Sequence, residues 1–76
     1  MPVFRSLVSP GGSVLAQCTS SVIYVVSASP NQGYRVLIER SGGEEAEVKF
    51  QGSTDVAVQI RCVKGIPTQT VETSDY

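Results

Sequence analysis

The sequence predicts an all-β fold, a small β-sandwich of six or seven mostly antiparallel strands with one disulfide. Short runs rich in valine and other β-branched residues recur along the chain, and helical periodicity is hard to find. Turn residues separate these runs at intervals of roughly 8–12 residues, a spacing typical of a sandwich or a barrel. The two cysteines, Cys18 and Cys62, each end an alternating apolar run.

The strands are placed by alternation and by the turn residues between them. In chain order they cover about residues 3–8, 13–19, 22–27, 34–40, 46–51 and 55–63. Four of the connections are Ser-Pro-Gly-Gly, Ser-Pro-Asn-Gln-Gly, Ser-Gly-Gly and Gly-Ser-Thr-Asp. Proline presets one backbone dihedral and glycine permits the positive φ of tight turns, so these segments predict reversals of the chain.

The second and third strands differ in pattern. In the second strand, Val14, Ala16 and Cys18 share one face, which is expected to be buried. The third strand, residues 22–27, is apolar on both faces. It is either a central strand covered on both sides, which is the preferred interpretation, or an apolar surface used for contact.

The fourth, fifth and sixth strands alternate more cleanly. The fourth places Tyr34, Val36 and Ile38 on one face and Arg35, Leu37 and Glu39 on the other. The fifth strand places Ala46, Val48 and Phe50 on one face. The sixth strand does the same with Val56, Val58, Ile60 and Cys62. The opposite faces of these two strands are mostly polar, so each strand is expected to have one solvent-exposed face.

The chain is expected to form one domain over residues 1–66, followed by a flexible C-terminal tail over residues 67–76. The segment from Ile66 to Glu72 alternates only weakly, and Pro67 cannot donate to a β-ladder. A short edge strand that frays into a disordered end is the most this segment is expected to hold.

The two cysteines could form a reactive thiol site, half of a metal site, a pair of reduced core residues or a disulfide. Both end apolar faces that point into one thin core, where no neighbouring group is placed to activate a thiolate. Closing a loop of this length would stabilise a small domain by roughly 4 kcal/mol in the chain-entropy model. A Cys18–Cys62 disulfide is preferred over reduced core cysteines, and it implies a compartment outside the reducing cytosol.

Several classes of activity lack the residues that they need. The chain has no histidine, so Ser-His-Asp and Cys-His catalysis lack their base and a mixed Cys/His zinc site lacks its nitrogen ligands. Glu44, Glu45 and Glu47 flank a Gly-Gly turn and are expected to be solvated rather than paired as acid and base. We therefore expect no catalytic residue, no cofactor, no metal and no enzymatic activity.

Charge and hydropathy limit the partners. Six basic and seven acidic residues give a net charge of −1, and the basic residues are scattered singly, which disfavours nucleic-acid binding. No apolar run approaches the roughly 18 residues of a membrane span, so no membrane insertion is expected. Tyr24, Tyr34 and Arg35 are the candidate binding surface. Tyrosines on strands can stack on a sugar or a peptide, although isolated ones more often lie at the edge of a core.

Four segments between Gly11 and Pro67 carry a family resemblance: GGSVLAQCTSS, SASPNQGYRV, AEVKF and VQIRCVKGIP. They resemble small uncharacterised β domains of actinobacterial envelope proteins. The resemblance implies an extracytoplasmic location, in a secreted or envelope-anchored chain, and it implies no activity. Cysteines on the second and sixth strands are also similar to those of immunoglobulin domains, which implies an immunoglobulin-like two-sheet sandwich.

The expected function is that of a non-catalytic extracytoplasmic binding or structural module, present as a monomer or weak dimer. Its partner would be another envelope protein or a cell-wall component. The alternative is a small enzyme or inhibitor-like protein that acts through the Ser29–Tyr34 loop. Binding to a strand edge or to the apolar third strand would favour the module, whereas a pocket that gathers buried Glu and Tyr groups would favour the alternative.

Overall fold

The computed structural model of the protein describes residues 2–75 and confirms the all-β prediction. Within these residues, seven strands form two antiparallel sheets that pack face to face. The first sheet contains β1 (Val3–Ser9), β2 (Gly12–Thr19) and β3 (Val22–Pro30), in the spatial order β1-β2-β3. The second contains β4 (Arg35–Arg40), β5 (Glu45–Gln51), β6 (Thr54–Val63) and β7 (Ile66–Asp75), in the order β4-β5-β6-β7.

Each sheet is a meander, because its neighbouring strands are consecutive in the sequence. Immunoglobulin domains instead connect their two sheets in Greek-key order. The likeness to those domains therefore extends to the two-sheet sandwich and to the cysteines on the second and sixth strands.

The core lies between the sheets and uses the alternating faces predicted from the sequence. Its fully buried side chains are Val14, Ala16, Cys18, Ile23, Ala46, Val48, Phe50, Val56, Val58 and Ile60. Val36 packs against this core as expected. Ile38, on the same face of β4, is 48% exposed because β4 is an edge strand that the first sheet does not fully cover.

The predicted disulfide is confirmed. Cys18 and Cys62 are bonded, with their Cα atoms 5.8 Å apart. Cys18 lies on β2, the middle strand of the first sheet, and Cys62 lies on β6, an inner strand of the second. The bond therefore ties the two sheets together near the β2–β3 and β6–β7 turns.

The interpretation of the third strand as a central strand is wrong. β3 is an edge strand of the first sheet, and its Tyr24 and Val26 are 42% and 48% exposed. A bulge opposite Leu15 shifts the register, so that Val25 and Ala28 both face the core although they lie three residues apart. Because the bulge interrupts the two-residue period, the run is apolar on both faces without being covered on both.

Most of the segment expected to be a flexible tail forms a strand instead. Ile66–Asp75 pairs with β6 along its whole length, and Pro67 is tolerated there because β7 is an edge strand. Val71 lies directly opposite the buried Val58 and packs against the core. The sandwich therefore extends through residue 75, while Tyr76 lies outside the described residues.

The borders between the two sheets are bridged by a few hydrogen bonds. Beside β3, the turn at residues 41–43 exchanges bonds of 2.7 to 2.9 Å with the backbone of Ile23 and Val25. Beside β1, the Nε2 of Gln69 on β7 donates to the carbonyl oxygen of Val8 at 2.9 Å. These contacts occupy parts of both edges of the first sheet and leave its outer face open to solvent.

Candidate functional site

The outer face of the first sheet exposes a group of aromatic and aliphatic side chains. Val8 is 72% exposed, Val26 48%, Phe4 47% and Tyr24 42%, and Leu15 lies half-buried on the middle strand. We call these five residues the apolar face. They share one face of the sheet with uncharged polar residues, which are the direct cross-strand neighbours of most of them. Several exposed apolar side chains gathered on one face mark interaction sites more often than scattered ones do.

The register of the strands sets the layout of the apolar face. Phe4 and Tyr24 lie directly opposite Gln17, one on each side, so that one row across the sheet reads Phe-Gln-Tyr. Since neighbouring strands lie about 4.8 Å apart, the two aromatic residues are roughly 10 Å apart on the sheet. The Nε2 of Gln17 donates to Thr19 Oγ1 at 2.8 Å, so the amide is held along β2 on the same face.

The two outer faces of the sandwich differ in charge. The outward positions of the first sheet hold Phe4, Ser6, Val8, Ser13, Leu15, Gln17, Thr19, Val22, Tyr24, Val26, Ser27 and Ser29, none of them charged. Those of the second sheet include Arg35, Arg40, Glu45, Glu47, Lys49, Asp55, Arg61 and Glu72. Contact at the apolar face therefore depends on shape and apolar burial, since long-range charge attraction has no source there.

Sequence reasoning missed most of this surface, although the sequence carries a signal for it. No charged residue occurs between Ser6 and Tyr34. This stretch spans the first sheet almost entirely. In a two-layer sandwich, only one face of each sheet packs against the core, and the other face is exposed to solvent. An uncharged sheet in such a fold must therefore present an uncharged outer face, which is where Val8, Leu15 and Val26 lie.

The structure does not bring the three predicted binding residues together. Tyr24 belongs to the apolar face. Tyr34 is half-buried and packs against the core beside Gly52, where a side-chain Cβ would lie 2.9 Å from the ring. Arg35 is exposed on the outer face of the second sheet, opposite Gln51. Tyr24 and Tyr34 thus form no shared stacking platform.

The Ser29–Tyr34 loop, the alternative site of action, is fastened to the β1–β2 turn. The backbone nitrogen of Asn31 donates to the carbonyl of Gly11 at 2.9 Å, and its side-chain Nδ2 donates to the carbonyl of Pro10 at 3.1 Å. The backbone nitrogen of Tyr34 donates to the carbonyl of Asn31 at 3.0 Å and closes the loop. These bonds give the loop a structural role between the two sheets.

The open cavities formed by described residues include two on the second sheet. One, of about 620 Å³, surrounds the β4–β5 turn, where Glu45 pairs with Arg61 at 2.7 Å and with Arg40 at 3.7 Å. Glu45 and Arg61 face each other directly across β5 and β6, so this ion pair is explained as a cross-strand contact. The other cavity, of about 340 Å³, is a polar depression around Ala57. Neither is lined by the Ser29–Tyr34 loop.

Two further properties hold for the part of the chain that the structure describes. No three Cys, Asp or Glu side chains there are grouped closely enough to hold a metal ion. No helix there is long and apolar enough to cross a membrane.

Comparison of the chain with family models, with curated proteins and with solved structures finds no match. The resemblance to actinobacterial envelope domains therefore stays a prediction, as does the expectation of no enzymatic activity. The disulfide is compatible with an extracytoplasmic location, because such bonds persist in oxidising compartments.

Proposed function

We propose that this protein is a non-catalytic extracytoplasmic module that binds a partner, or builds a larger structure, through the apolar face. The observation that carries the proposal is the exposure of Phe4, Val8, Tyr24 and Val26 together on an outer face without charge. Leaving that much apolar surface in water is unfavourable by about 25 cal/mol per Å², so covering it supplies a driving force for association.

The disulfide supports the extracytoplasmic part of the proposal. A domain of 76 residues buries a smaller share of its surface than a larger one, and a crosslink between its two sheets compensates for a thin core. Such a bond is useful where glutathione and thioredoxin do not reduce it. The module would therefore act in the envelope or outside the cell, on another envelope protein or a cell-wall component.

Site-specific photo-cross-linking in intact producing cells tests the contact surface. Tyr24 is replaced by a photoreactive phenylalanine analogue, and the matched control carries the same analogue at Leu37, which is 45% exposed on the charged outer face. We expect covalent adducts from position 24 and few from position 37. Equal yields at both positions, or no adduct at position 24, would contradict the proposal.

A further inference from the structure

The size of the outer face of the first sheet limits what can cover it. Three strands spaced about 4.8 Å apart, with roughly 3.3 Å per residue along each, give a face of roughly 14 by 25 Å. A flat partner over this face would cover roughly 350 Å² on each side, or about 700 Å² in total. That total is below the roughly 1,000 Å² expected of a stable specific interface, so the contact would be weak and reversible.

Charge narrows the choice of partner. A face without charged residues offers nothing to attract a charged ligand, and it brings no like charges together when two copies meet. The net charge of −1 also means that two copies of the chain repel each other little at a distance. The outer face of the second sheet could not meet its own copy so easily, because Glu47 and Glu72 lie there with other charged residues.

The layout of the apolar face suits packing against an identical sheet. Two sheets that pack face to face lie about 10 Å apart and interdigitate their side chains. Here Leu15 lies on the middle strand, with Phe4 and Val8 on one flank and Tyr24 and Val26 on the other. A two-fold axis midway between the two stacked sheets and parallel to their middle strands would place the β1 flank of one copy over the β3 flank of the other, as the self-complementary interface of a symmetric dimer requires.

We infer that the apolar face binds a second copy of this chain, giving a weak symmetric dimer whose first sheets stack face to face. This inference rests on the proposed function, because it names the partner of the same surface. Both charged outer faces would then be turned to solvent on either side of a four-layer stack.

Sedimentation equilibrium of the oxidised full chain tests the inference, from about 10 µM to about 1 mM, the range over which weak complexes dissociate. We expect the apparent mass to rise from the 8.1 kDa of the chain toward twice that value. Val26→Glu and, independently, Val8→Glu should weaken association roughly tenfold or more, because each would bury an unpaired charge. Two variants are used so that a folding defect in one does not decide the result.

The control is Leu37→Glu, which adds the same charge at a similarly exposed residue on the opposite outer face. It should leave association unchanged within about twofold. A wild-type chain that stays monomeric throughout, or equal weakening by Leu37→Glu, would overturn the inference. If the chain is monomeric while position 24 cross-links to a different macromolecule in cells, the second copy is excluded and the proposed function stands. A monomer without adducts from position 24 overturns both.

Discussion

Gly11 lies against Phe50 so closely that a side-chain Cβ at Gly11 would be 2.5 Å from the Cβ of Phe50. Phe50 is fully buried and is the largest side chain of the core, and Gly11 belongs to the β1–β2 turn that covers it. Gly12 is under a similar constraint, since it has a φ of 153° and its own Cβ would meet the carbonyl oxygen of Ser29. The glycine pair of this turn therefore closes one end of the sandwich.

Gly11→Ala is expected to destabilise the protein by about 1–3 kcal/mol, because the added methyl group would overpack the core at Phe50. The matched control is Gly43→Ala, since a Cβ there meets no atom within 4 Å. Urea unfolding of both variants measures the difference, with about 0.5 kcal/mol or less expected for the control. A Gly11→Ala variant as stable as the control would contradict this packing.

Removing the disulfide by Cys18→Ala and Cys62→Ala together should cost roughly 4 kcal/mol of unfolding free energy. The bond restricts the unfolded chain across the loop between the two sheets, and its loss leaves a thin core to hold the sandwich. Urea unfolding of the wild type with and without a reductant provides the control, since the reduced wild type should behave like the double variant. If the unfolding free energy of the double variant lies within about 1 kcal/mol of that of the oxidised wild type, the disulfide contributes little to stability.

The strand β7 can be tested with two acidic substitutions on neighbouring residues. Val71→Asp should destabilise the protein by about 3 kcal/mol or more, because the carboxylate would face the core opposite Val58. Thr70→Asp is the control, since Thr70 is exposed on the outer face. Thermal unfolding followed by circular dichroism measures both. If residues 67–75 formed a flexible tail, neither substitution would lower the melting temperature.

Arg5 is an inward-pointing charge on an edge strand. Arg5 lies opposite the buried Ala16 in the β1–β2 register, so its side chain is on the inner face of β1. It is nevertheless exposed, because β1 is at the edge of the sheet. Charges in this position protect an edge from pairing with other chains. Arg5→Val should therefore increase aggregation during storage at high concentration, as measured by light scattering. Arg35→Val, which also removes a positive charge, should have a smaller effect, and equal aggregation of the two variants would refute the protective role.

Alternation predicted the parts of this fold that have a regular two-residue period. Phe50 on β5 and Ile60 on β6 are buried as expected, and the disulfide follows from the inward direction of Cys18 and Cys62. Alternation carries no information on which strands are neighbours, however. The apolar pattern of the third strand favoured a central position, because the bulge at Val26 interrupts the two-residue period that would have shown an edge strand with one exposed face.

The last strand was missed because its own pattern is weak, while the turn before it is informative. Lys64 and Gly65 both have positive φ, at 52° and 79°, and form a two-residue hairpin turn that returns the chain onto β6. A Lys-Gly pair after an alternating strand could have indicated this hairpin. The candidate site was predicted only in part, through Tyr24 and through the alternative that the third strand is an apolar contact surface. Exposure of Phe4 and Val8 could not be predicted because it depends on how the sheet is covered.

The redox state of Cys18 and Cys62 in the organism that makes the protein tests most directly whether it is an extracytoplasmic, disulfide-bonded module. A thiol-alkylating reagent is added to intact cells and kept in excess during lysis in denaturant, so that buried thiols also react, and the mass of the intact protein is measured with and without later reduction. An oxidised, extracytoplasmic module should carry no alkyl group until it is reduced and should then carry two. Two alkyl groups on the protein before reduction would contradict both the disulfide and the extracytoplasmic location.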